Sequence, residues 1–461
     1  MDALLEFNDT VNGFVWGPIM LFVLVGTGVY LTFRSGFFQV RKFGFAMEKT
    51  IASVIGRRAK KADDKNISGF QAVSTALAST VGTGNVVGVA TAITIGGPGA
   101  VFWMWVSAFF GMMTKFAEIV LAMKYREVNE FGQYAGGPMY YIKNGLKQPW
   151  LAYVFAVFAT LATFGIGNMT QANSIASAVG ESFGVSPVIV GIVVMILTDV
   201  VILGGIKSIA SVTEKLVPFM AVFFILLSIL LLILNASEII PSLILIVHAA
   251  FDPQSALGGA AGYTVAMAIR MGIARGVFSN EAGLGSAPIA HAASNTKEPV
   301  EQGLWGIFEV FVDTLVICTM TALVILTTGV WQGGAKGAAL TIAAFNHGLP
   351  GTWGGMALTI GLTLFAYSTI LGWSYYGEKS LEFIFRNIGG ARIAILVYRV
   401  IFVLAVYVGA VGGLHAVWAV ADTLNGMMAI PNLIAVIGLS GVVIAELKSY
   451  LARAKAGELE D

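Results

Sequence analysis

Apolar and polar positions alternate in long blocks, with hydrophobic runs near 11–33, 71–95, 101–123, 150–183, 187–206, 212–234, 260–292, 304–330, 356–376, 393–411, 413–424 and 431–447. All but 413–424 approach the ~20 residues that a hydrocarbon core of about 30 Å demands of a helix. The pattern predicts an all-α polytopic membrane protein with eleven transmembrane helices, or twelve if 413–424 also crosses. Two runs are interrupted in the middle. The first reads Ser79-Thr80-Val81-Gly82-Thr83-Gly84-Asn85, and the second Gly276-Val277-Phe278-Ser279-Asn280-Glu281-Ala282-Gly283-Leu284-Gly285-Ser286, about two hundred residues downstream. Lipid offers no water to open backbone groups, so a membrane helix unwinds only where it lines a protected cavity. Paired interruptions at that separation are how inverted-repeat transporters build a site near the midplane.

Composition agrees with this reading. The 461 residues are 57% hydrophobic and 11% charged, far below the quarter of charged residues typical of soluble domains. Charge placement predicts orientation. Residues 1–33 hold Asp2, Glu6 and Asp9 and no Lys or Arg, whereas 34–66 holds nine basic residues. Positive loops stay cytoplasmic, which predicts an outside N-terminus. Lys448, Arg453 and Lys455 predict a cytoplasmic C-terminus, and that parity requires an odd number of crossings, hence eleven. Topology accounts for the basic loop without a nucleic acid. The acidic start and the long first run exclude a signal peptide. Segments 123–150, 204–215, 295–303 and 377–392 are expected to be cytoplasmic loops. The outer loops 236–259 and 331–352, nearly free of Lys and Arg, carry periodic stretches (239–250 and 338–347) expected to form short lid helices. The lone Cys318 excludes a disulfide framework, and the four histidines lack metal-ligand spacing. Neither a phosphate-cradling loop nor an HExxH motif occurs, so neither an ATP-driven pump nor a membrane zinc protease is supported.

The interruptions carry the chemistry. An opened helix presents N–H groups at one half-helix start, suited to a carboxylate, and carbonyls at the other half-helix end, suited to a cation. In the first, Gly84 and Gly88 form a small-xxx-small spacing that admits a neighbouring helix, a role assigned to Gly88. In the second, carbonyls of Gly276, Val277, Phe278 and Ser279 are candidates for a substrate ammonium, and Arg275 with Glu281 for a gating ion pair or for direct substrate contact. Phe164, Asn168, Gln171 and Ile175 share one helix face, where the amides either bind a ligand or join helices. Ser368 and Thr369 offer hard oxygen ligands for Na⁺, and Trp373, one turn on, either caps a pocket or packs. Glu309 and Asp313, four residues apart, serve as ion ligands, proton relays or an ion pair, or as catalytic carboxylates of an intramembrane enzyme.

The run Val81-Gly82-Thr83-Gly84-Asn85 resembles the broken first core helix of LeuT-fold sodium-coupled transporters. The second interruption, extended through Ala287-Pro288, resembles the signature of the alanine or glycine:cation symporter family. Gly136-Gly137-Pro138-Met139-Tyr140-Tyr141 and Ala421-Asp422-Thr423-Leu424-Asn425 are similar to that family as well. The resemblance implies a LeuT-like 5+5 inverted repeat: an extra helix and basic loop over 1–66, repeats over 67–235 and 236–428, and a final helix and tail over 429–461. It implies import of alanine and glycine with Na⁺ in the cell membrane, with the bilayer as environment and no obligate protein partner. By motif match, the N–H groups of Thr83 and Gly84 meet the carboxylate, with Gly82 beside them a further candidate for substrate contact. The same match puts the Ala78 and Val81 carbonyls with Ser368 and Thr369 around Na⁺. Thr80 and Asn85 match positions serving a second sodium in some relatives. Phe164, Phe278 and Trp373 would form a ceiling that selects tiny side chains. The rival readings are a LeuT-fold carrier for another small amino acid or a nucleobase, sodium- or proton-coupled, and the enzyme built on Glu309 and Asp313.

Overall fold

The computed structural model describes residues 2–55, 66–252, 263–386, 388–412 and 415–459. Among them the only sheet is a two-stranded hairpin, Glu127–Val128 with Tyr134–Ala135; the rest is helices and connections. Eight helices are long and apolar enough to cross a bilayer: Glu6–Arg34, Gly99–Tyr125, Pro149–Phe183, Gly205–Leu234, Pro299–Thr327, Trp353–Phe385, Ala391–Val411 and Val417–Gly438. A ninth forms if Gly69–Thr80 and Gly84–Gly96, bent by 46° at their junction, count as one span. Pro187–Ile202 is apolar but shorter.

Both interrupted segments are broken where glycine and polar residues gather. Helix Gly69–Thr80 begins with a Ser68/Gln71 capping box and stops at Val81, whose backbone is extended (φ −78°, ψ 94°). A π turn, Gly84–Gly88, then leads into helix Val89–Gly96. The second segment runs as helix Val265–Asn280 and ends with Glu281 in the left-handed region (φ 58°). Gly283 and Gly285, at φ 93° and 82°, carry the chain to the short helix Pro288–His291. Glycine adopts such angles without the Cβ penalty. The second opening therefore lies at 281–287, not at Gly276. Gly276 serves packing instead: a Cβ there would sit 2.6 Å from Ser107 Oγ on helix Gly99–Tyr125.

Two boundaries depart from expectation. Segment 204–215 is no loop, because helix Gly205–Leu234 includes nearly all of it. Helix His415–Gly438 runs through Pro431, so 413–424 and 431–447 are not two separate spans; residues 413 and 414 lie outside the described residues. Proline reads as a helix start in sequence, yet in a membrane bundle neighbouring groups satisfy the carbonyl it frees. The terminal helix Ser440–Ala456 buries Val443, Ile444, Leu447 and Tyr450 and holds its charged side outward. Arg453 there binds Glu298 through two nitrogens at 2.7 and 2.8 Å.

The broken segments lie against the long helices. Gly99–Tyr125 packs on Val265–Asn280 and Pro299–Val310, while Trp353–Phe385 packs on Gly69–Thr80, Pro149–Phe164, Thr170–Phe183 and Gly205–Leu234. Two further π turns, Gly165–Met169 and Phe311–Cys318, interrupt their helices. Such widened turns recur at functional sites. The stretches 239–250 and 338–347 do form helices, Ile239–Phe251 and Gly337–Gly348. The latter lies over the first opening, where Thr341 Oγ1 donates to the Val86 carbonyl at 3.4 Å.

Candidate substrate and ion site

At the carbonyl end of the first half-helix, three oxygens converge. Ser368 Oγ and Thr369 Oγ1 each lie 3.1 Å from the Ala78 carbonyl oxygen. Close helix approach makes this possible. Gly372 faces Ser79 so tightly that a Cβ would sit 1.9 Å from its Oγ, and a Cβ on Gly82 would sit 2.4 Å from Thr369 Oγ1. All three oxygens are buried and hard, the donor type that alkali and alkaline-earth cations select.

Beyond Val81 the chain turns so that the Gly82 N–H donates to Asn85 Oδ1 at 2.9 Å. Thr83 and Gly84 open the second half-helix, where first-turn N–H groups lack intrahelical partners. Two buried polar atoms here have no partner: Thr83 Oγ1 and Gln171 Oε1. Gln171 Nε2 donates to the Ile166 carbonyl at 2.9 Å, and its free Oε1 lies 3.6 Å from the Cβ position of Gly82. Buried orphans of this kind demand an explanation. A hydroxyl beside open N–H groups suits a carboxylate, and a lone amide oxygen suits an ammonium.

The first opening faces the last turn of helix Val265–Asn280, just before the second opening. A Cβ on Gly84 would meet Ser279 Cα at 3.1 Å and Phe278 Cδ1 at 3.3 Å, whereas one on Gly88 would touch nothing. The close approach expected of Gly88 is thus made by Gly84. Asp313 ties the first opening to that last turn: it accepts from Asn85 Nδ2 at 2.6 Å and from Ser279 Oγ at 2.9 Å, with Thr314 Oγ1 at 2.8 Å. Sequence spacing grouped Asp313 with Glu309. The π turn starting at Phe311 separates their surroundings, since Glu309 accepts from or donates to His291 Nε2 at 2.6 Å instead. No signal in the sequence distinguishes that turn from ordinary α-helix.

Other expected residues have different neighbours. Thr80 Oγ1 donates back to the Ala76 carbonyl at 2.8 Å. Asn168 Nδ2 donates to the Phe402 carbonyl at 2.7 Å, the helix-joining reading of that amide. Phe164 packs on Tyr398 and Phe402. Trp373 is buried with its Cβ 2.2 Å from the Cβ position of Gly167. Val277 lies in an apolar cluster with Leu21 and Leu24, and its carbonyl is taken by the Glu281 N–H at 2.8 Å. Gly276 and Val277 therefore leave the group of free carbonyls. Arg275 pairs with Asp422 at 3.8 Å, not with Glu281, which accepts from Ser286 Oγ at 2.6 Å.

Below the second opening runs a buried polar chain. Lys115 Nζ donates to the Asn280 carbonyl at 2.8 Å and lies 3.5 Å from Glu309 Oε2. Glu309 holds His291, whose Nδ1 meets Gln302 Nε2 at 2.8 Å, and Gln302 reaches the Gly69 carbonyl at 3.4 Å. The chain connects the start of the first broken segment to the end of helix Val265–Asn280. Lys115 was missed because a lone lysine inside an apolar run gives no hint of its partner.

Gly82→Ala is expected to abolish most transport while leaving the protein inserted, because the new methyl displaces Thr369 Oγ1. Overpacking of this kind costs about 1–3 kcal/mol; uptake normalised to surface expression measures it.

Comparison with known proteins supplies the rest. The profile of the sodium:alanine symporter family matches residues 1–461. The chain is 50% identical over 450 residues to the sodium/alanine symporter AgcS of Methanococcus maripaludis, covering 96% of each. It is 38% identical over 466 residues to the putative sodium/proton-dependent alanine carrier protein YrbD of Bacillus subtilis, covering 98% of this chain and 93% of that one. Among solved structures, MhsT in complex with L-phenylalanine superposes with a TM-score of 0.56 at 15% identity, covering 83% of this chain and 98% of that one. The fold is that of LeuT-fold transporters, with broken helices at the site, and the relatives are carriers rather than enzymes. The chain belongs to the sodium:alanine symporter family.

Proposed function

We propose that this protein carries alanine and glycine into the cell with Na⁺ by alternating access. The observation that carries the reading is the convergence of the Ala78 carbonyl with the Ser368 and Thr369 hydroxyls at the first opening. Na⁺ sits there, with Val81 completing the shell. Open N–H groups of Thr83 and Gly84 and the Thr83 hydroxyl receive the substrate carboxylate. Gln171 Oε1 and the carbonyls of Phe278 and Ser279 receive its ammonium. Gly84 packs directly on Phe278 and Ser279, where a Cβ would already sit at 3.1–3.3 Å, so the walls beside the first opening are tight and admit only a tiny side chain. A hydrophobic pocket gains only about 1–3 kcal/mol per methylene, so steric exclusion sets selectivity.

The chain crosses the membrane eleven times, with its N-terminus outside and its C-terminus cytoplasmic. Two five-helix halves, Gly69–Leu234 and Val265–Gly438, follow the extra helix Glu6–Arg34. The broken pair rocks against the remaining core, with Gly337–Gly348 as the outer cover. One Na⁺ moving through 100 mV contributes about 2.3 kcal/mol, and a tenfold gradient adds about 1.4 kcal/mol. Together these sustain accumulation on the order of several-hundred-fold without ATP.

A sodium/proton-dependent relative and the buried Lys115–Glu309–His291 chain favour proton coupling as the second reading. Labelled alanine uptake into proteoliposomes separates the two. An inward Na⁺ gradient at equal pH drives concentrative uptake if Na⁺ couples. Uptake that follows only a pH gradient rejects the sodium reading.

A further inference from the structure

Helices Pro18–Arg34 and Val265–Asn280 touch along one edge, through Leu21, Leu24, Ile273 and Val277. Along the other they part, leaving a groove of about 1040 Å³ whose walls include Pro18, Phe22, Gly26, Tyr30 and Ile437. Gly26 widens it, since a Cβ there would touch nothing within 4 Å. One charged side chain lines the groove: Arg270, the sixth residue of its helix, which is exposed. Among the described residues Arg270 has no hydrogen bond, ion pair or ring contact, in contrast to Arg275 with Asp422. An arginine within a membrane helix costs about 2.5–3.5 kcal/mol even on insertion scales, and no carboxylate lines this groove. Its position, about 7.5 Å along the helix from Val265, lets the side chain extend to headgroup level while its stem stays apolar.

We propose that this groove binds an anionic phospholipid, with its phosphate on Arg270 and an acyl chain along the Pro18–Tyr30 face. Guanidinium and phosphate match in a two-pronged geometry. The Pro18–Tyr30 face measures about 18 Å along the helix, close to the ~15 Å depth of one leaflet's hydrocarbon. The groove offers no acidic group to a choline or ethanolamine ammonium, so a net negative headgroup matches the lone cation. Its wall is the helix that ends at the second opening, where Leu24 fits against Gly283; the lipid thus occupies the junction between the extra helix and a broken segment.

The test is native mass spectrometry of the purified full chain with phosphatidylglycerol or phosphatidylcholine added at equal concentration. The wild type retains phosphatidylglycerol at least about fivefold over phosphatidylcholine, Arg270→Gln loses the preference, and Gly26→Phe, which fills the groove, retains little of either. Thermal melting confirms that both variants are folded. Equal retention of the two lipids by the wild type, an unchanged preference in Arg270→Gln, or full retention by Gly26→Phe overturns the proposal. So does a two-chain assembly that dissociates in Gly26→Phe without loss of lipid, since a second copy then fills the groove. These readouts do not depend on which substrate the protein carries.

Discussion

Thr369→Ala raises the Na⁺ concentration for half-maximal alanine uptake by about ten- to a hundred-fold. The estimate follows from removing one hydroxyl from an ion, comparable to a hydrogen bond with a charged group at about 1.5–3 kcal/mol. The hydroxyl is placed for this by two features: Gly82 leaves room for it, and the Ala78 carbonyl lies 3.1 Å away. Maximal velocity at saturating Na⁺ changes little, because Ser368 and Ala78 remain. Thr369→Ser restores the wild-type response, since the serine keeps the oxygen. Ser374→Ala serves as control, because Ser374 Oγ donates to the Leu371 carbonyl at 2.6 Å on its own helix. An unchanged Na⁺ response in Thr369→Ala removes this residue from the ion site.

Lys115→Met removes most of the folded protein. The ammonium is fully buried, as is Glu309 beside it, and stripping one partner from a buried pair costs about 3–5 kcal/mol. Methionine preserves the length of the side chain but neither its charge nor its hydrogen bond to Asn280. The double variant Lys115→Met/Glu309→Gln removes both charges and regains yield, measured as monodisperse protein after solubilisation. Its uptake stays well below wild type, because the Asn280 carbonyl at the second opening has lost its donor. If the double variant transports as well as the wild type, Lys115 only neutralises Glu309 and does not position the opening.

Much of this architecture could be read from residue order alone. Hydrophobic runs located the spans, and glycines clustered with hydroxyls located both openings, because lipid makes such residues expensive unless a site requires them. The pairing of Ser368 and Thr369 with Ala78 followed from the family resemblance and matches the geometry. What escaped was whatever depends on local pitch or on distant neighbours. A π turn moves Asp313 away from Glu309 and toward Asn85 and Ser279, yet its residues are ordinary helix formers. Gly276 looked like part of an opening, although its role is to admit Ser107. Pro431 looked like a helix start because its cost is set by neighbours that a linear pattern does not contain. Arg275 looked paired with Glu281, six residues on, while its partner Asp422 comes from a helix at the far end of the chain.

The direct test of one shared site for ion and amino acid is equilibrium binding of alanine to the purified protein in Na⁺ and in K⁺. Binding linkage is reciprocal: Na⁺ should tighten alanine by about ten- to a hundred-fold, the span of a 1–3 kcal/mol coupling, and alanine should tighten Na⁺ by the same factor. An alanine Kd that is identical in both salts would contradict a joint site between the two broken helices.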